Sequence, residues 1–231
     1  MSDLNLHRIL EGLNADQSQA VTHEQGPLLI LAGAGSGKTR AITHRIAWLI
    51  RERGVAPSRI LAMTFTNKAA GEMRERVEGL LGMADAPRWM GTFHSICLRI
   101  LRRHADLLGF PRYFVIYDDD DQERVLRRIL KERVGEKAPV RPFSAWIDAV
   151  KNTGALQAPS VGRRPRDQEF VDVFEAYQKE LASAGAMDFG DLLCQALRLF
   201  RDHEDIRSFY QDQFEHLVVD DVGAPRREQL G

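Results

Sequence analysis

Two patterns of apolar residues follow one another along this chain. Short apolar runs bounded by turn residues are typical of buried strands, and they occur at residues 28–32, 60–65 and 217–219. Elsewhere apolar residues recur every three or four positions, as in the helix predicted for residues 41–53 with Ile42, Ile46 and Leu49 on one face. Strands that alternate with helices predict an α/β fold, a parallel sheet flanked by helices.

The middle of the chain has a different pattern. From residue 119 to about residue 179 the periodicity is helical and no strand is predicted. Acidic residues 118–121 lack the alternation and the glycine of a calcium loop, so we expect them to begin a helix instead. We predict an α/β domain at residues 1–110 and 188–231, with an all-helical subdomain inserted at residues 111–187.

Charge, apolar run length and the N-terminal sequence narrow the class of protein. The net charge of −1 gives no overall basic field, so binding to nucleic acid must depend on local patches. The apolar runs are far shorter than the roughly 20 residues of a membrane span. The first ten residues also lack the order of a signal peptide. We therefore expect a cytoplasmic protein with no membrane partner.

A glycine-rich loop follows the first predicted strand. It comprises Gly33, Ala34, Gly35, Ser36 and Gly37, and Lys38 and Thr39 then begin a helix. Backbone N–H groups of such a loop can surround phosphate, the lysine can reach the β and γ phosphates, and the threonine hydroxyl can bind Mg²⁺. Ala32 stands where the strict pattern has its first glycine. The alternative is a strand-to-helix loop that merely carries glycines.

The third predicted strand ends in two carboxylates, Asp220 and Asp221. In nucleotide-binding sheets an acidic residue at such a strand end holds Mg²⁺, and the next one can orient the attacking water. Asp220 is the candidate metal ligand and Asp221 the candidate base. The alternative is a solvated strand end with two acids.

Two more loops carry hydroxyl and aromatic groups where a strand becomes a helix. The candidate residues are Thr64, Phe65 and Asn67 in the first loop, and Thr92, Phe93 and His94 in the second. Helix capping by a hydroxyl or amide is one interpretation, and base stacking on the aromatic ring is the other. Because the ends of parallel strands share one sheet edge, two such loops favour a nucleic-acid track.

These stretches together resemble the superfamily-1 helicases of the UvrD, PcrA and Rep group. The resemblance rests on Gln17 with Leu13, Asn14 and Ala20, on AGAGSGKTR, TFTNKAA and GTFHS, and on MDFGDLL at residues 187–193. It implies a RecA-like domain that uses ATP and Mg²⁺, with Gln17 reading the adenine and Arg40 lying against the base. It also implies contact with single-stranded DNA, with Phe189 as another aromatic residue that faces the DNA.

The chain departs from the family pattern at its end. After Asp220 the family has Glu, an aromatic, Gln and Asp, whereas this chain has Asp221, Val222, Gly223 and Ala224. The chain ends at Gly231, where family members continue into a second motor domain that supplies arginine fingers.

We therefore expect the N-terminal portion of a 3′–5′ helicase of DNA repair or replication. It would bind single-stranded DNA or a single/double-strand junction, would have repair proteins as candidate partners, and would show little ATPase activity alone. The alternatives are a non-enzymatic DNA- or protein-binding fragment and a small P-loop kinase or NTPase.

Overall fold

The computed structural model describes residues 9–24, 26–33, 35–157 and 165–220. By its internal contacts the chain divides into two compact units. The first unit is Met1–Ile96 with Ser208–Gly231, and the second is Cys97–Arg207. The boundaries predicted at 110/111 and 187/188 rest on the change in hydrophobic pattern and on the resemblance, and they stay a prediction.

A three-stranded parallel sheet forms the centre of the first unit. Its strands are β1 (Ile60–Thr64), β2 (Trp89–Thr92) and β5 (His216–Asp220), in the order β2-β1-β5. The register sets Thr64 opposite Thr92 on one side and opposite Asp220 on the other. The carboxyl ends of all three strands therefore meet at one edge, as the sequence predicted.

Helices cover this sheet. They are α1 (Ala15–Thr22), α2 (Lys38–Arg51), α3 (Asn67–Leu81), the start of α4 (Phe93–His104) and the end of α9 (Glu204–Gln213). Ile46 of α2 and Met73 and Val77 of α3 are 0% exposed and pack with Ile60 and Ala62 of the sheet. The periodicity of residues 41–53 thus identified the face of α2 that contributes to this core.

The prediction of a buried strand at residues 28–32 is wrong. Residues 26–33 form no strand, and the side chains of Leu29 and Leu31 are 80% and 85% exposed. A cavity of about 530 Å³ separates this segment from β5, which pairs with β1 alone among the described residues. A strand exists only through its hydrogen-bond ladder, so an apolar run without a neighbouring strand stays irregular and exposed.

The second unit is mainly helical. It contains α5 (Asp119–Arg133), α6 (Val140–Asn152), α7 (Pro165–Ser183) and α8 (Phe189–Asp202), together with a parallel pair of strands, β3 (Val115–Tyr117) and β4 (Ala186–Asp188). Asp118 caps α5 by accepting the N–H of Asp121 at 2.9 Å, which confirms the predicted helix start.

The inserted helices share a core of their own. Helices α5, α6 and α7 contribute Leu126, Leu130, Ile147, Phe174 and Tyr177, all at most 2% exposed. The predicted fold class, a parallel α/β domain with an inserted helical segment, is therefore confirmed. None of the described helices is both long and apolar enough to cross a membrane.

Candidate nucleotide and nucleic-acid site

The glycine-rich loop turns sharply into α2. Gly35 and Gly37 have φ angles of +76° and +86°, a conformation that favours glycine. Ser36 closes the turn on the carbonyl of Gly33, with its N–H at 3.3 Å and its hydroxyl at 2.7 Å. Since the first N–H groups of a helix lack partners within it, the start of α2 presents donors and a positive dipole end to an anion.

Lys38 is folded over this loop. Its ammonium group donates to the carbonyl oxygens of Ala32 at 2.5 Å and of Gly33 at 2.8 Å. Both acceptors are neutral, whereas a phosphate oxygen carries negative charge and adds Coulombic attraction to the hydrogen bond from the ammonium. Phosphate oxygens are therefore better partners for Lys38 than the carbonyls it contacts here.

Gln17 contacts the same loop from α1. It forms a capping box with Asn14, and its side-chain amide donates to the carbonyl of Ser36 at 3.0 Å. A Cβ atom at Gly37 would lie 2.5 Å from the Gln17 amide nitrogen, which is the end of a side chain that can shift, so the φ angle of +86° is the main reason for a glycine here. The structure thus brings Gln17 and the loop together across 19 residues of sequence.

Arg40 lies on the first turn of α2 and is exposed. Its guanidinium donates to the carbonyl of Glu11 at 3.4 Å, close to Gly12, where a Cβ atom would lie 2.6 Å from the Arg40 Nη2. Arg40 therefore stands beside the segment that leads into α1, on the same side of the loop as Gln17.

Asp220 lies at the carboxyl end of the sheet and is only 1% exposed. Asp220 and Lys38 line the same 530 Å³ cavity. Thr64, beside Asp220 in the register, is fully buried, and its hydroxyl has no hydrogen-bond partner in the described part of the chain. A carboxylate and the Thr39 hydroxyl are the hard oxygen donors that Mg²⁺ takes beside phosphate, so the donor set fits this ion. Asp221 and Ala34 lie outside the described residues.

The two strand-end loops bring aromatic rings together. Phe65 is 49% exposed, and its ring centroid lies 4.9 Å from that of Phe93. The hydroxyl of Thr66 accepts the N–H of Ala69 at 3.1 Å, so helix capping occurs here beside an exposed aromatic ring. Asn67, which begins α3, is also exposed.

The remaining predicted residues of these loops differ in exposure. Thr64 and Thr92 are buried, at 0% and 5% exposure, so neither hydroxyl faces solvent. His94 is partly buried, and this burial lowers its pKa from the usual value of 6.5. The accessible groups on this edge of the first unit are therefore Phe65 and Asn67, with Phe93 and His94 partly exposed.

Phe189 belongs to the second unit and begins α8 with 50% of its surface exposed. Asp188 and Asp191 on either side of it are buried, and they belong to a cluster that the sequence did not predict. The ammonium of Lys151 lies 2.5 Å from a carboxylate oxygen of Asp188 and 2.7 Å from one of Asp191. Burial raises the pKa of Asp191, and the charge of Lys151 opposes that rise. Asp-x-x-Asp at a helix start is a capping signal, but nothing in the sequence indicates a lysine 37 residues upstream as its partner.

A phosphate-binding type of loop beside a carboxylate-ended strand in a parallel sheet defines an α/β domain of the nucleotide-binding class. The sequence profile of the UvrD/REP helicase N-terminal domain matches residues 13–222, and the chain belongs to this family. Its fold is accordingly the RecA-like α/β fold of that domain, and the resemblance recognised in the sequence is confirmed.

Similar proteins include ATP-dependent DNA helicases named PcrA. The chain is 45% identical over 227 residues to the one from Bacillus subtilis (strain 168), with 96% of this chain covered. It is 43% identical over 230 residues to those of Staphylococcus aureus (strain Mu50) and Staphylococcus epidermidis, with 97% covered. The chain spans only about 31% of the length of these relatives, and it is homologous to their N-terminal part.

Proposed function

We propose that this chain is the ATP- and single-stranded-DNA-binding portion of a 3′–5′ DNA helicase or translocase acting in DNA repair or replication. The observation that carries the proposal is the assembly of Gln17, the glycine loop and Lys38 at the start of α2, with Asp220 on the same cavity. These groups come from three separate parts of the chain, and each suits one part of a magnesium nucleotide.

In this proposal the loop from Gly33 to Gly37, including Ala34, surrounds the phosphates with backbone N–H groups. Lys38 leaves its carbonyl partners and binds the β and γ phosphates. Gln17 reads the adenine, and Arg40 lies against the base. Thr39 and Asp220 hold Mg²⁺, which neutralises charge on the phosphates when it is bound. Asp221 occupies the position of the base that orients the attacking water.

The DNA track runs over the strand-end loops. Phe65 offers a half-exposed ring and Phe93 a partly exposed one on which a base can stack, and Asn67 and His94 can form hydrogen bonds to bases or phosphates. Phe189 offers a similar ring in the second unit. Contacts from Thr64 and Thr92 stay predictions, because both side chains are buried here. Single-stranded DNA or a single/double-strand junction is the proposed ligand, repair proteins are the proposed partners, and the cytoplasm is the proposed location.

The isolated 231-residue chain should bind nucleotide but turn it over slowly. The relatives extend well beyond the segment that this chain matches. The resemblance assigns the arginine fingers to a second motor domain outside that segment. One such arginine is worth about 10³- to 10⁵-fold in rate.

Substitution of Lys38 tests the nucleotide site directly. A hydrogen bond to a charged group contributes about 1.5–3 kcal/mol, so Lys38→Ala should weaken binding of Mg-ADP about 10- to 100-fold by titration calorimetry. Lys131→Ala is a matched control, because this exposed lysine of α5 lies in the second unit and forms a surface ion pair with Glu136 at 2.9 Å. Equal affinities for the wild type and Lys38→Ala would remove the phosphate-loop assignment. They would favour a non-enzymatic binding fragment.

A further inference from the structure

Lys151 joins two parts of the second unit that are far apart in sequence. It lies near the end of α6, and its side chain is 1% exposed. Its ammonium bridges Asp188, the last residue of β4, and Asp191, in the first turn of α8. The hydroxyl of Tyr177 on α7 donates to the same oxygen of Asp188 at 2.9 Å.

The same two carboxylates also form the cap of α8. Asp188 accepts the N–H of Asp191 at 2.8 Å, and Asp191 accepts the N–H of Asp188 at 3.1 Å. Each carboxylate therefore uses one oxygen for the cap and the other for Lys151. Because each carboxylate takes part in both the cap and the ion pair, removal of the Lys151 ammonium should also disturb the first turn of α8.

Two backbone contacts add to this arrangement. A Cβ atom at Gly190 would lie 2.9 Å from Cδ and 3.1 Å from Cβ of Lys151, so the lysine stem packs directly on the first turn of α8. The thiol of Cys194, one turn further along α8, donates to the carbonyl of Lys151 at 3.2 Å. Lys151 thus contacts α8 through both its side chain and its backbone.

The charges explain why an apolar group of similar size cannot take over the role of Lys151, since it would leave two buried carboxylates without their ammonium partner. Asp188 and Asp191 are 2% and 3% exposed, so they cannot separate into water when the ammonium is lost. Without the ammonium, the two adjacent buried carboxylates repel each other until one takes up a proton or the turn that holds residue 189 shifts, and either change disturbs the cap of α8.

We propose that Lys151 is a positioning residue for DNA binding, which orients Phe189 for stacking on a base by holding the turn from Asp188 to Asp191. Phe189 lies between the two clamped aspartates and is the exposed member of this turn. An aromatic ring held in place before it binds loses less conformational freedom on binding. This inference rests on the proposed function, since it needs Phe189 to contact DNA.

A double-mutant cycle tests the inference on the full 231-residue chain. The affinity for a labelled oligothymidine is measured for the wild type, Phe189→Ala, Lys151→Met and the double variant. Loss of one base stack should weaken binding of Phe189→Ala about 5- to 100-fold. Lys151→Met should weaken it about 5-fold or more in the wild type, but less than about 2-fold when Phe189 is already alanine. Lys131 is an exposed, ion-paired lysine of the same unit, so the Lys131→Met control should keep its DNA affinity within about 2-fold of the wild type.

A spectroscopic readout separates positioning from general loosening. In a Phe189→Trp chain, stacking on a base should quench the added indole fluorescence at saturating DNA, after subtraction of the signal from Trp48, Trp89 and Trp146. Adding Lys151→Met should reduce this quenching while the far-ultraviolet circular dichroism stays unchanged. A change in stability alone would not alter the signal of a folded, saturated protein.

The outcomes distinguish the DNA contact of Phe189 from the positioning role of Lys151. If Phe189→Ala binds DNA as tightly as the wild type, the DNA contact at Phe189 and the inference built on it both fail. If Phe189→Ala weakens binding but Lys151→Met acts equally in both backgrounds, the contact stands and the positioning role is overturned. Should Lys151→Met fail to fold, Lys151→Met with Asp191→Asn keeps the net charge of the cluster and goes through the same cycle.

Discussion

Phe65 provides the sharpest test of the DNA track, because the structure predicts two separate effects for Phe65→Ala. The ring is 49% exposed and lies 4.9 Å from Phe93. Replacing a fully buried Phe by Ala costs about 3–5 kcal/mol, so half of that burial suggests a loss of about 2 kcal/mol in unfolding free energy. The aromatic pair with Phe93 accounts for about 0.5–1.5 kcal/mol of this loss.

The loss of DNA affinity has an independent origin. Stacking of one base on an aromatic ring contributes about 1–3 kcal/mol, so Phe65→Ala should bind oligothymidine about 5- to 100-fold more weakly. Fluorescence anisotropy at one fixed, low salt concentration is the appropriate assay, because phosphate contacts make affinity depend strongly on salt. Unfolding free energy comes from denaturant titration of the same preparations.

Phe209 of α9 supplies a matched control in the same unit. It is 54% exposed, its ring lies 5.1 Å from that of Tyr210, and no predicted DNA contact involves it. Phe209→Ala should lose a similar amount of stability and keep its DNA affinity. Full DNA affinity in Phe65→Ala would contradict the contact at Phe65, and so would losses of affinity in both variants that follow their losses of stability.

Two further predictions concern turnover and pH. A phosphate-release assay on the isolated chain should give DNA-stimulated ATP hydrolysis near background, because an arginine finger supplies about 10³- to 10⁵-fold in rate; several turnovers per second would indicate a complete NTPase. Burial lowers the pKa of His94 from its usual value of 6.5. As the pH falls through 6.5, the unfolded chain therefore binds a proton at His94 more readily than the folded chain does, and the free energy of unfolding should decrease. Burial also lowers the pKa values of His104 and His216, so His94→Gln should remove only part of this pH dependence. NMR should show a titration midpoint for His94 below 6.5, and a midpoint above 6.5 would contradict the structure.

The sequence by itself determined the family and several helix starts. The phosphate loop, the two strand-end loops and the acidic strand end occur in order, and the family match over residues 13–222 confirms what that order indicated. Local signals were equally informative. Asp118 begins a helix and Thr66 caps one, because a cap depends on residues only three positions apart.

Only the tertiary structure decided which apolar runs become strands and which polar groups meet. Residues 28–32 have a strand pattern but no strand, while the three-residue strands β3 and β4 were too short for a pattern to predict. The same holds for the burial of Thr64 and for the pairing of Lys151 with Asp188 across 37 residues. Apolar spacing and caps act within a few residues, whereas a strand ladder or a buried ion pair needs a partner that only the folded chain brings near.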